Sequence, residues 1–336
     1  MVYRRHFGRV KVDEFLAWLK YIVYNWIVFM SVKYSPVAAP GREKAGLTPG
    51  RRALVHRALD YIEVLKPLPS VLLAFIGTCA AVIAGGGQLS PRTILILVTI
   101  LIASAGANGL TNYLDRDIDA RMQRTSCRVL PSRRIYPPTR VLPLVVGLII
   151  AGLVLAWRLH PYVFLADAFG TLVAATWRKK VTCVYPQGML ASFAPILMGW
   201  LAVRPALSLE LLLLCILVAA WLPLHVWSVN ITYREDYRQA GINYFPINLE
   251  VRDSVKVLLA FVLVLYAVSL ALYFVGDFSW LYLALANVLG ILMVFATARL
   301  VASHAARDAW RLYRLSSFPY LGAIFLVMCL DIRLLG

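Results

Sequence analysis

The segment Asn108-Gly109-Leu110-Thr111-Asn112-Tyr113-Leu114-Asp115-Arg116-Asp117-Ile118-Asp119 closes a long apolar stretch, and its spacing is the most informative in the chain. If the stretch is helical and the helix runs on, each residue advances by about 100°. With Asn108 at zero, Asn112 falls at about 40°, Asp115 at about 340° and Asp119 at about 20°. Two amides and two carboxylates thus share one face, with Thr111 at its edge and Asp117 opposite. Carboxylates stacked one turn apart repel unless a cation lies between them. Mg²⁺ is commonly held by one or two carboxylates together with phosphate oxygens. The face therefore suits a metal-bound phosphate or diphosphate. The competing account is a solvated helix end in which Asp115, Asp117 and Asp119 pair with Arg116 and Arg121.

Composition sets the surroundings of that face. The 336 residues are 61% hydrophobic and 15% charged, and 34 basic against 17 acidic side chains leave a formal charge of +17. Soluble domains average about 45–50% apolar and about 25% charged residues, which argues against that class. Disorder needs low hydrophobicity and a disulfide scaffold needs dense cysteine, so neither fits. A nucleic-acid reader needs a solvated basic face, which so apolar a chain lacks. The chain reads as an all-α polytopic membrane protein.

Spanning helices need about 20 predominantly apolar residues. Nine such stretches are found, at 68–88, 93–113, 141–157, 161–177, 187–203, 207–230, 255–275, 279–298 and 318–335. Basic residues gather in alternate connections. One side holds Arg116, Arg121, Arg124, Arg128, Arg133, Arg134 and Arg140, then Arg178, Lys179 and Lys180, then Arg234, Arg238, Arg252 and Lys256, and finally Arg299, Arg307, Arg311 and Arg314. The other side has only Arg92, Arg158 and Arg204. The positive-inside rule makes the rich side cytoplasmic, with the N-terminus inside and the C-terminus outside. Polar groups at membrane depth are costly and usually face a cavity, which raises the functional weight of the Asn108–Asp119 face.

Residues 1–50 form an extension to a transmembrane domain expected over 51–336. Phe15 to Val32 is apolar and aromatic, and reads either as a tenth span or as a helix lying on the membrane surface. No small-residue cleavage site follows it, so it does not read as a cleaved signal. Ser35 to Gly50, rich in Pro, Gly and Ala, reads as a linker. The five cysteines, Cys79, Cys127, Cys183, Cys215 and Cys329, lack CxxC spacing, and buried or incidental thiols are the expectation.

A second acidic pair ends the sixth stretch. Trp221-Leu-Pro223-Leu-His225-Val-Trp227-Ser-Val-Asn230-Ile-Thr-Tyr233-Arg234-Glu235-Asp236-Tyr237 precedes Ala240-Gly241, on the side already marked as cytoplasmic. Two such clusters can converge on one site. Taken together, the motifs resemble those of the UbiA superfamily of intramembrane prenyltransferases, in its heme-farnesylating branch. Leu65-Lys66-Pro67 resembles the family's first-helix segment. Asn112 to Asp119 with Met122, Arg124-Thr125 and Arg128 is similar to its first acidic signature. Ala194-Pro195 with Gly199-Trp200, and Pro223, His225 to Trp227, and Glu235-Asp236-Tyr237 with Ala240-Gly241, resemble later motifs. The resemblance covers roughly residues 60 to 250. The superfamily's motif Asn falls on Thr111 here, leaving Asn112, or Asn108 one turn back, to supply the amide. Val129 stands where many relatives have Pro, and the segment Thr182 to Gly188 departs from the family pattern.

The resemblance implies nine transmembrane helices around a central cavity capped at its cytoplasmic end. It implies Mg²⁺ bridging the acidic clusters and the diphosphate of an isoprenoid donor, with Asp115, Asp119 and Asp236 as ligands and Asn112 and Glu235 as further candidates. Arg124, Arg128, Lys179, Lys180 and Lys66 would bind the donor's phosphates. The alternative for these basic residues is lipid-headgroup contact. Tyr113, Tyr233, Trp227 or Tyr237 would stabilise a carbocation by cation–π attraction. The implied acceptor is a vinyl group of heme B, a substrate here and not a cofactor, with water adding at the neighbouring carbon. A downstream heme-modifying enzyme is an implied protein partner.

His225 lies within a span near the motif end, where an imidazole is either a contact to heme iron or a side chain satisfied by a neighbouring helix. Asp167 is an acid in the fourth stretch with no motif around it; it pairs across helices or lines the cavity. His56, His160 and His304 sit near span ends and need no special role. Two other functions compete. A quinone-precursor or other lipid acceptor would keep the fold and change the substrate. A secondary transporter would also bury acids but would show repeated halves and broken midplane helices, whereas these acids gather at one face.

Overall fold

Proline opens four of the helices, at Pro49, Pro67, Pro91 and Pro161. It tolerates the first turn, where its missing N–H would have had no partner. The computed structural model describes residues 49–176 and 187–334. The apolar run 15–32, most of the linker, Lys179, Lys180 and Cys183 lie outside the described residues. The helices are α1 (Pro49–Val64), α2 (Pro67–Ala84), α3 (Pro91–Asp119), α4 (Leu142–Leu159), α5 (Pro161–Thr176), α6 (Gln187–Val203), α7 (Leu209–Thr232), α8 (Arg234–Gln239), α9 (Val251–Val275), α10 (Trp280–Ser303), α11 (Ala306–Leu315) and α12 (Ala323–Leu334). A π-helical segment, Ser316–Gly322, joins the last two. No strand occurs among the described residues.

Each of the nine apolar stretches is helical. Among the described residues, seven helices, counting Ala306–Leu334 as one, are long and apolar enough to cross a membrane; α5 and α6 are apolar but shorter. Three boundaries differ from the sequence expectation. α3 continues through the acidic motif to Asp119. The second acidic pair lies on a separate short helix, α8, because Tyr233 breaks the helical path with ψ of 31°. The last span begins at Ala306, so Arg307, Arg311 and Arg314 belong to a helix rather than a loop.

The outside of the bundle is apolar: Leu165 and Leu172 on α5 are 58% and 61% exposed, and Phe295 on α10 is 64% exposed. On the same α5, Asp167 and Gly170 are buried. Apolar outside and polar inside is what a lipid solvent selects, since an exposed patch of this extent is foreign to soluble monomers. The chain is an integral membrane protein. Small residues set the helix spacing, as expected where backbones must approach closely. A Cβ on Gly199 of α6 would overlap the Gly77 carbonyl of α2, and one on Gly106 of α3 would lie 2.9 Å from Ile149 N of α4. At one end of the bundle, Asp331 of α12 accepts from the N–H of Ser279 at 2.6 Å and caps α10, while Arg333 donates to Gly87 O at 3.1 Å. The acidic motifs lie at the opposite ends of their helices.

Candidate active site

α3 delivers its acids to the bundle's polar end. Asp115 is 8% exposed and Asp119 is 1% exposed. Arg128 Nη1 lies 2.8 Å from Asp119 Oδ2. The connection after α3 turns tightly under Asp119: Thr125 is buried and its Oγ1 donates to Asp119 O at 2.9 Å. Asp117 points to the other side, 75% exposed, and pairs with Arg116 at 3.5 Å. The competing solvated-end account therefore holds for Asp117 and not for Asp115 or Asp119.

The second motif meets the first here. Asp236 Oδ1 accepts from Gln123 N at 2.5 Å, and Oδ2 accepts from Arg124 N at 3.1 Å. Met122 is fully buried among Tyr237, Ala240, Ile242 and Ile247, which anchors the same turn by its side chain. Arg124 then lies across two rings, 5.2 Å from the Tyr233 centroid and 6.0 Å from that of Tyr237, and its Nη2 donates to Tyr237 OH at 3.3 Å. Both oxygens of Asp236 thus face backbone amides of the 120–126 turn. Glu235 is exposed and accepts from Gln239 Nε2 at 3.2 Å. Among the described residues, no three acidic, histidine or cysteine side chains gather closely enough to hold a metal by themselves. Two buried carboxylates one turn apart on α3 still fit a hard divalent cation whose other ligands are phosphate oxygens.

Beneath the acids lies a cavity of about 200 Å³ between α2, α3, α5 and α6. Its polar lining is Ser104, Asn108, Thr111, Asp167, Thr171 and Ser192. Asn108 is held by Ser70 Oγ, 3.0 Å from its Nδ2. Asn112 is not in the lining; its Nδ2 donates to Val64 O at 2.6 Å, which fastens α3 to α1. Of the two amides offered for the motif Asn, the cavity receives Asn108. Lys66 reaches the same rim, with Nζ 3.3 Å from Thr111 Oγ1. It does so from a left-handed backbone, φ 49°, ahead of Pro67. That conformation costs a non-glycine residue about 1–3 kcal/mol and is characteristic of functional positions.

Tyr113 faces away from the acids, under Arg116 at 4.4 Å from its centroid. His225 lies deeper, between Trp221 (4.7 Å, stacked) and Tyr313 (4.6 Å), with Nδ1 3.1 Å from Ser316 Oγ. Ser316 opens the π segment around Pro319, where the regular helical ladder is broken. Trp227 is buried against Phe245 and Phe261, 4.5 and 5.6 Å away, as a packing residue. Asp167, Asn108 and Thr111 all line the cavity. The four cysteines among the described residues are free thiols.

The profile of the UbiA prenyltransferase family matches residues 70–318. The protoheme IX farnesyltransferase of Desulforudis audaxviator is 36% identical over 305 residues, spanning 88% of this chain and 95% of that one. The protein of the same name from Gloeobacter violaceus is 32% identical over 281 residues, 81% of this chain and 91% of that one. Among solved structures, a digeranylgeranylglyceryl phosphate synthase superposes with a TM-score of 0.68 at 17% identity, covering 83% of this chain and 99% of that one. A UbiA homolog from Archaeoglobus fulgidus bound to GPP and Mg²⁺ gives 0.55 at 14% identity, covering 80% and 99%. These two establish the shared fold.

Proposed function

Because the chain belongs to the UbiA prenyltransferase family, we propose that it transfers a farnesyl or longer isoprenyl group from its diphosphate to a vinyl group of heme B, giving heme O. The observation that carries the transfer is the pair of buried carboxylates Asp115 and Asp119 above a polar-rimmed cavity inside an apolar bundle. The acceptor follows from the similarity to protoheme IX farnesyltransferases over most of both chains.

Asp115 and Asp119 would hold Mg²⁺, which supplies Lewis-acid stabilisation of the departing diphosphate. Lys66, Arg124 and Arg128 bind the donor's phosphates and keep them at the polar end. Asp236 fixes the turn that carries Arg124, so the guanidinium is ordered before the donor arrives. As the allylic C–O bond breaks, its electron pair leaves on the diphosphate. The π pair of the vinyl group then forms the new C–C bond. Tyr233 and Tyr237 lie beside Arg124, where an aromatic face also favours a transient cation. His225, oriented by Ser316, contacts the heme. The polar end faces the cytoplasm, all nine apolar helices lie in the bilayer, and residues 1–50 form a separate extension.

Purified protein incubated with heme B, Mg²⁺ and farnesyl diphosphate should yield a prenylated heme by mass spectrometry. Prenylation of a quinone precursor with no heme product would overturn the acceptor.

A further inference from the structure

Asp167 is the one acidic side chain among the described residues that sits at the middle of an apolar helix. It is 4% exposed and lines the cavity that ends at Asn108 and Thr111, one turn before Asp115. Its Oδ1 accepts from Thr171 Oγ1 at 3.4 Å; its Oδ2 is buried and has no hydrogen-bond partner among the described residues. Buried carboxylates are costly unless satisfied, and their retention at membrane depth marks a functional group.

What satisfies it follows from its surroundings. An isoprenoid chain offers no donor, and a diphosphate would be repelled by a carboxylate. Ser104, Asn108, Thr111, Thr171 and Ser192 share the cavity, which at about 200 Å³ is several times the share of one water molecule. The small residues Ala174 and Ala191 complete the lining. Such a site selects water.

We propose that Asp167 binds the water that terminates the transfer and takes its proton. This rests on the heme reading above, in which C–C bond formation at the vinyl terminus leaves a cation on the carbon next to the macrocycle. A lone pair of the water oxygen forms the C–O bond, one water proton passes to the Asp167 carboxylate, and the product carries a neutral hydroxyl. The charge balances: diphosphate leaves with the pair from the allylic bond, and Asp167 gains the proton. Without that base the cation discharges by losing a proton from the adjacent methylene, giving an alkene.

The test uses the full chain in H₂¹⁸O with heme B, Mg²⁺ and farnesyl diphosphate, comparing wild type with Asp167→Asn. Wild type should give a hydroxylated prenyl heme carrying one ¹⁸O. The variant should lower the ratio of hydroxylated to alkene product by at least about tenfold, a floor beneath the roughly 10²–10⁴-fold that general bases contribute. The ratio is counted among product molecules, so a smaller folded fraction lowers yield and leaves it unchanged. Should Asp167→Asn not fold, Asp167→Glu displaces the carboxylate by one methylene and should also lower the ratio. A wild-type ratio in the variant that folds overturns the role of Asp167 and leaves the heme reading standing. Absence of any prenylated heme from wild type overturns both.

Discussion

Arg128 closes on Asp119 across the mouth of the acidic face, Nη1 to Oδ2 at 2.8 Å, with the carboxylate side chain 2% exposed and the guanidinium 34%. The pair holds an acid in readiness at a depth where an isolated charge would be expensive. It also places a cation where phosphate oxygens would arrive.

Arg128→Ala leaves Asp119 buried without its counter-charge. Removing one member of a buried pair costs about 3–5 kcal/mol, and the half-exposed guanidinium brings the expectation down to about 1–3 kcal/mol. Thermal unfolding in detergent measures this, and Arg128→Lys should recover only part of it. Transfer should fall by about 100-fold or more, as when one preorganised donor is removed from a developing anion. Wild-type turnover in Arg128→Ala would exclude Arg128 from phosphate binding.

Asp115→Ala should abolish transfer while the protein still folds, because Asp115 sits at a helix end and not in the apolar packing. Chelation of Mg²⁺ from wild type should have the same effect and be reversed by adding the ion back. Full activity in the variant would refute the metal site.

Asp236→Ala should loosen the 120–126 turn. Two charge-assisted hydrogen bonds to Gln123 and Arg124 are lost, worth about 1.5–3 kcal/mol each before relaxation. Hydrogen exchange at those two amides should rise, with far less change in α5 or α9. Asp236→Asn keeps an acceptor and should retain more protection than Ala. Unchanged exchange in both variants would rule out the anchoring role.

Gly199→Val should prevent α6 from docking on α2. The Cβ would overlap the Gly77 carbonyl, a backbone atom that cannot rotate aside. Overpacking of this kind costs about 1–3 kcal/mol, or more where backbone must move. Yield of folded protein and its melting temperature report the effect. Gly147→Ala, where a Cβ meets nothing within 4 Å, is the neutral control.

His225→Ala should weaken heme binding, seen as a smaller Soret shift on titration, and leave isoprenyl diphosphate binding unchanged. Loss of both would make His225 a packing residue between Trp221 and Tyr313.

Much of this molecule was legible in the chain itself. Nine apolar stretches, their Pro and Gly punctuation and the Asn-Asp-Asp spacing depend on local periodicity, which a linear sequence records. So the helices, the shared face of Asp115 and Asp119 and the outward turn of Asp117 could all be read from it. Facts that depend on what lies across the bundle could not. Asn108 and Asn112 are about 40° apart on a helical wheel, yet one lines the cavity and the other donates to Val64 because α1 happens to pack on that flank. Asp236 belongs to an acidic motif, but its oxygens face the amides of a turn 112 and 113 residues away. Asp167 has no motif at all, and only the meeting of α2, α3, α5 and α6 turns a lone acid into the floor of a polar cavity. Period and composition select which faces are buried; which partner each buried polar group finds is settled by long-range packing, which no local pattern encodes.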